Sequence, residues 1–176
     1  MSLVDLSKQV ALGIDIGGTN TKFGLVNHRG DILAKGSIKT DQHEKIEDFI
    51  EELYQNIKPL IDEHCSDKEL EGIGCGAPNA NYYTGTIEHA PNLRWKGVIN
   101  FAELMSKKFG KPCKISNDAN AAALGEMMYG AARGMNDFIM ITLGTGVGSG
   151  IVCGGKLVYG HDGFAGELGH TIVKPN

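Results

Sequence analysis

Two glycine-rich turns, built alike and far apart in the chain, constrain this sequence more than any other feature. The first is Asp15-Ile16-Gly17-Gly18-Thr19-Asn20-Thr21-Lys22, and the second is Leu143-Gly144-Thr145-Gly146-Val147-Gly148-Ser149-Gly150. Each follows an apolar run and leads into another, so each reads as a strand-turn-strand unit. Val10 to Ile16 suits a buried strand, Thr21 to Val26 a second, and Ile32 to Ile38 a third, with the polar cluster 27–31 as the turn between the last two. That is an antiparallel meander. Phe138 to Leu143, Gly148 to Cys153 and Leu157 to Tyr159 repeat it, with Gly154-Gly155 as the second hairpin turn.

Between the meanders the period changes. Ile46, Phe49, Ile50, Leu53, Ile57, Leu60 and Ile61 recur at three- and four-residue steps, which predicts an amphipathic helix that Pro59 should kink or shorten. Leu70 to Gly76 returns to strand. Residues 77–97 are irregular, with Pro78, Gly85, Pro91 and Gly97, and a loop that long is either functional or contains short strands. Phe101 to Phe109 has helical spacing and stops at Gly110, Cys113 to Ser116 is a short strand, and Ala119 to Ala132 is a helix ended by Arg133-Gly134. The order βββ-α-β-α-β-α followed by a fresh βββ is an α/β arrangement with an internal repeat whose second copy is unfinished. The expected units are 1–133 and 134–176.

Bulk properties narrow the function. The chain has 176 residues and a net charge of −4. Without a Lys/Arg cluster it offers no footprint for nucleic acid or an anionic membrane surface. No apolar run reaches the length of a membrane span, and Met1 to Gln9 lacks the pattern of a signal peptide. Cys65, Cys75, Cys113 and Cys153 are scattered with no CxxC pair, as expected of reduced thiols in a cytoplasmic protein.

The turns carry the chemistry. Gly17 and Gly18 let backbone N–H groups approach an anion, with Thr19 and Asn20 as further donors. Asp15 at the strand end can hold Mg²⁺, and Lys22 either meets a phosphate or faces solvent. A strand follows the turn, which excludes a Rossmann turn, and the Walker A spacing is absent. In the second turn, glycine at every second position leaves one face bare, and Gly144, Thr145 and Gly146 form a second candidate phosphate loop. Asp118, in Asn117-Asp118-Ala119-Asn120, falls where a helix begins. It is either a helix cap or a general base, and the two roles are compatible, because a helix N-terminus stabilises negative charge. Asn117 can orient a polyol. Glu167 and His170, three apart in Gly166-Glu167-Leu168-Gly169-His170, share a side if a helical turn forms, and both can bond sugar hydroxyls. Two phosphate cradles with a carboxylate between them suit phosphoryl transfer to an alcohol.

These segments, together with Gly76-Ala77-Pro78-Asn79 and Ala90-Pro91-Asn92-Leu93, run in order over nearly the whole chain and resemble the ROK family (repressor, open reading frame, kinase), in particular its glucokinase-like members. The resemblance implies a ribonuclease H-like, actin-like ATPase lobe followed by the start of a second, incomplete lobe. It implies ATP- and Mg²⁺-dependent phosphorylation of a hexose 6-hydroxyl. Asp118 then matches the catalytic base, Gly17 to Thr19 and Gly144 to Gly146 the phosphate loops, and Asp15 the position near Mg²⁺. Asn117, Glu167 and His170 match sugar-contacting positions, with Asn92 and Gly76 beside them. The family also implies a possible homodimer and a structural zinc bound by His170 and a following cysteine-rich stretch. The sequence ends at Asn176 before such a stretch, so the expectation is a chain cut short at its C-terminus. N-acetylhexosamine kinases and non-catalytic sugar-sensing members are the alternatives. The sensors carry a helix-turn-helix ahead of the first strand, for which the residues before Val10 leave no room.

Overall fold

The computed structural model describes residues 8–65, 69–144 and 146–174. Strands β1 (Gln9–Ile16), β2 (Asn20–Asn27) and β3 (Ile32–Lys39) form the expected meander. Helix α1 (Ile46–His64) leads to β4 (Glu69–Gly76), which runs parallel to β1. Three short strands follow, β5 (Ala80–Asn81), β6 (Thr86–Glu88) and β7 (Val98–Ile99), paired in a small antiparallel sheet. They account for the stretch that reads as irregular. After α2 (Phe101–Phe109), β8 (Cys113–Ser116) adds parallel to β4, giving a five-stranded sheet of order β3-β2-β1-β4-β8. Helix α3 (Asp118–Tyr129) then leads to β9 (Phe138–Leu143), β10 (Val147–Cys153) and β11 (Lys156–Leu157), a second meander of order β11-β10-β9. Among the described residues no helix is long and apolar enough to cross a membrane.

Alternation places the core. Val10, Leu12, Ile14 and Ile16 of β1 point to one face of the sheet, in register with Leu25 and Phe23 of β2 and with Ile73 and Cys75 of β4. Phe49, Leu53 and Ile57 of α1, with Phe101 and Met105 of α2, join them in one buried cluster. Trp95 belongs to this cluster, with its ring 4.5 Å from that of Phe49, so it is a core anchor and not an open stacking surface. The opposite face carries Gly13, Gly24 and Gly74 side by side in register on β1, β2 and β4.

Helix α3 lies between the two sheets, and its small residues suit that place. On one side a Cβ at Gly76 would stand 3.3 Å from the Ala121 Cβ. On the other, a Cβ at Gly150 would stand 2.6 Å from the Ala123 Cβ, and one at Gly148 would stand 3.1 Å from the Ala119 Cβ. A helix apolar on more than one side is a buried helix, and alanine against glycine lets the backbones approach closely.

Three boundaries depart from expectation by more than one residue. Pro59 lies inside α1, which continues to His64. Pro59 is exposed, so the carbonyl that loses its N–H partner faces water, while apolar spacing continues through Leu60 and Ile61. Helix α3 stops at Tyr129, short of Ala132, because the Glu126 carboxylate accepts the Ala131 N–H at 2.7 Å and ends the ladder. Strand β11 begins at Lys156 and ends at Leu157, since Gly154 and Gly155, at φ 58° and 72°, set Lys156 opposite Cys153. Strand β9 is an edge of its sheet, and along it Ile139, Ile141 and Leu143 are 56%, 56% and 80% exposed.

Candidate active site

The first turn is tight. The Gly17 N–H donates to the Asn20 carbonyl at 3.0 Å, and the Thr40 N–H to the Thr19 carbonyl at 2.9 Å. A Cβ at Gly18 would stand 2.9 Å from the Asn92 carbonyl oxygen, so glycine is required there by close approach and brings Asn92 against the turn. Below the turn the hydroxyls of Thr21 and Thr40 share a buried 2.7 Å hydrogen bond. In the second turn the Gly144 N–H donates to the Gly146 carbonyl at 3.0 Å, and a Cβ at either glycine would meet open space. Thr145 lies outside the described residues.

The second turn therefore divides its glycines between two tasks. Gly148 and Gly150 are the floor on which α3 rests. Gly144 and Gly146 are exposed and make no such contact. The even spacing that suggests one bare face for a ligand is in part a seat for a helix.

Asp118 is the first residue of α3, and the cap is its neighbour. The Asn117 Oδ1 accepts the Ala119 N–H at 2.8 Å, and the Asp118 carboxylate accepts the same N–H at 2.8 Å. Capping is thus shared with Asn117, and the Asp118 carboxylate is exposed. Asp15, Gly76, Asp118, Ala119 and Thr142 line one cavity of about 400 Å³. The Asp15 carboxyl is held above the usual aspartate range, first by partial burial and then by the charge of Asp118, with Lys22 opposing. Lys22 stands opposite Asp15 across the β1–β2 ladder and lines a neighbouring apolar cavity of about 570 Å³ on the glycine face of the sheet.

Glu167 is followed by a single 3-10 turn at Leu168–His170, closed by the His170 N–H donating to the Glu167 carbonyl at 3.1 Å. The Asn117 amide donates to the Glu167 carboxylate at 3.4 Å, joining two candidate sugar contacts that lie fifty positions apart. His170 is exposed. Among the described residues no three His, Cys, Asp or Glu side chains stand close enough to hold a metal. The residues described do not fit a zinc site. Sequence reasoning missed Thr142, whose only signal is its position at the end of β9 beside the second turn.

A meander, a parallel crossover to a fourth and fifth strand, and a helix that passes to a second meander together define an actin-like ATPase lobe. The chain belongs to the ROK family, whose match spans residues 11–176. It is 38% identical to a glucokinase of Halalkalibacterium halodurans over 97% of its own length and 52% of the relative's. It is 34% identical to a xylose repressor of Caldicellulosiruptor bescii over 97% of its own length and 44% of the relative's. The crystal structure of a ROK family glucokinase from Streptomyces griseus in complex with glucose and AMPPNP superposes with a TM-score of 0.80 at 35% identity, covering 94% of this chain and 51% of that one. The chain spans about half the length of the relatives it matches.

Proposed function

We propose that this chain carries the acceptor side of an ATP-dependent hexose kinase, with Asp118 as the general base. The observation that carries the reading is the meeting, at one end of α3, of an exposed carboxylate, a cavity shared with Asp15 and Gly76, and the Asn117–Glu167 pair. Asn117 and Glu167 offer a donor and an acceptor for sugar hydroxyls, and His170 and Asn92 are further candidate sugar contacts. Asp118 accepts the proton of the hydroxyl that attacks phosphorus. The turns at Gly17, Gly18, Thr19 and Asn20 and at Gly144, Thr145 and Gly146 are the candidate phosphate loops, in which N–H groups not already bonded within the turn and the threonine hydroxyls meet phosphate oxygens. ATP supplies the phosphoryl group. Asp15 and Asp118 fit Mg²⁺, because both carboxylates line one cavity and Mg²⁺ commonly takes one or two carboxylates with phosphate oxygens. The two meanders support division into units 1–133 and 134–176.

A sugar-sensing role is the second reading, favoured by the similarity to xylose repressors. One variant separates the two. Asp118→Asn is expected to lower phosphoryl transfer by about 10²–10⁴-fold while hexose affinity, measured by calorimetry, changes little. Wild-type turnover in that variant removes the base assignment. Hexose-dependent turnover in the parent protein removes the sensor reading.

A further inference from the structure

The segment that carries Glu167 is held from both halves of the chain. From β5, the Asn81 side chain is 6% exposed and bound at both ends. Its Oδ1 accepts the Tyr83 N–H at 3.0 Å, and its Nδ2 donates to the Asp162 carbonyl at 3.0 Å. The Tyr83 hydroxyl donates to the Gly160 carbonyl at 2.9 Å. The Tyr82 and Tyr159 rings stack at 4.2 Å with 11° between planes, at the point where the segment begins. From β10, the buried Ser149 hydroxyl donates to the Gly166 carbonyl.

The path between these anchors is fixed. Gly160, Gly163 and Gly166 hold φ of 75°, 86° and 92°, in the left-handed region that side chains avoid. Gly163 is pressed against the clamp: a Cβ there would stand 2.7 Å from the Asn81 Oδ1. The next residue after Gly166 is Glu167, whose carboxylate meets Asn117 at a long 3.4 Å. The placement of Glu167 is therefore set chiefly by its backbone, and its backbone by the clamp.

We propose that Asn81 and Tyr83 are positioning residues for the sugar pocket: they fasten residues 160–163 to the small sheet so that Glu167 is presented to Asn117. This rests on the hexose kinase reading for its ligand, though not for the clamp itself. The bonds to be lost are ordinary neutral ones, and each is expected to cost a few-fold, about tenfold together.

The test compares the parent protein with Tyr83→Phe, Asn81→Asp and the double variant. Tyr83 is 59% exposed, so removing its hydroxyl leaves the core intact. Asn81→Asp keeps the acceptor for Tyr83 but replaces the donor to Asp162 by a carboxylate oxygen facing that carbonyl, so it is the more severe of the two single variants. Amide hydrogen exchange is read across 160–170, and glucose and AMPPNP affinities by calorimetry. The expected result is exchange faster by about tenfold at 160–170 in the double variant, glucose affinity weakened by about tenfold, and AMPPNP affinity unchanged. Unaltered exchange overturns the clamp. Faster exchange with unaltered glucose affinity overturns its positioning role, and equal loss of glucose and AMPPNP affinity reduces it to general destabilisation. A parent protein that binds no hexose overturns the kinase reading and the sugar part of this proposal together, while exchange still decides the clamp.

Discussion

Gly150→Ala tests the seat of α3 on β10. The added Cβ would stand 2.6 Å from the Ala123 Cβ and 3.0 Å from the Ala119 carbonyl oxygen. Carbon atoms pack best at about 3.5–4.0 Å, so the helix must retreat by about 1 Å or the strand must bend. Neither neighbour is the flexible end of a side chain, and overpacking of this kind costs about 1–3 kcal/mol. The retreat also moves Asp118, because the first two turns of α3 are the part that rests on Gly148 and Gly150. A displacement of about 1 Å in a reacting group lowers a rate by about a hundredfold. Urea unfolding reads the first effect and phosphoryl transfer the second. The control lies in the same segment: Gly146→Ala adds a Cβ with nothing near it, so stability should hold within about 0.5 kcal/mol while nucleotide affinity falls. If Gly150→Ala is as stable as the parent, or if Gly146→Ala is the more destabilised, the division of labour among these glycines is wrong.

Other outcomes follow from the same geometry. Asn117→Asp keeps an acceptor for the Ala119 N–H but sets a second carboxylate against Glu167, so thermal stability should change little while hexose affinity falls. Asn117→Ala loses the cap as well and should cost about 1 kcal/mol by denaturant titration. Asp15 binds its proton more tightly folded than unfolded, so its charge opposes folding; that penalty is absent at low pH and develops as pH rises through the folded pKa. Asp15→Asn should therefore raise the melting temperature at neutral pH and leave it unchanged well below about pH 4, while transfer activity is lost. Pro59→Ala restores an N–H inside α1 and should stabilise by up to about 3 kcal/mol in urea unfolding.

The long, periodic elements were legible from their residues alone. Alternation along Val10 to Ile16 and three-four spacing from Ile46 to Ile61 each admit one regular structure. Strands β5, β6 and β7 were not, because two or three residues are too few to show a period and their pairing partners lie across Gly85 and Gly97. Pro59 misled because a proline rule ignores which side of the helix faces water. The cap of α3 was read one residue late, since Asn and Asp serve equally there. For the site, the turns and Asp118 stood out by residue type, but nothing local joins Asn117 to Glu167, or tells Gly150 from Gly144. Those distinctions are made by contacts between distant segments, and the resemblance to a family, not the spacing, supplied the sugar contacts.

The outer rail of β9 has a consequence for what can be laid against it. Among the described residues no strand pairs with that side of β9, where Ile139, Ile141 and Leu143 are open to water. An edge beside apolar side chains is a strand-addition surface, so a strand laid along β9 would cover all three at once.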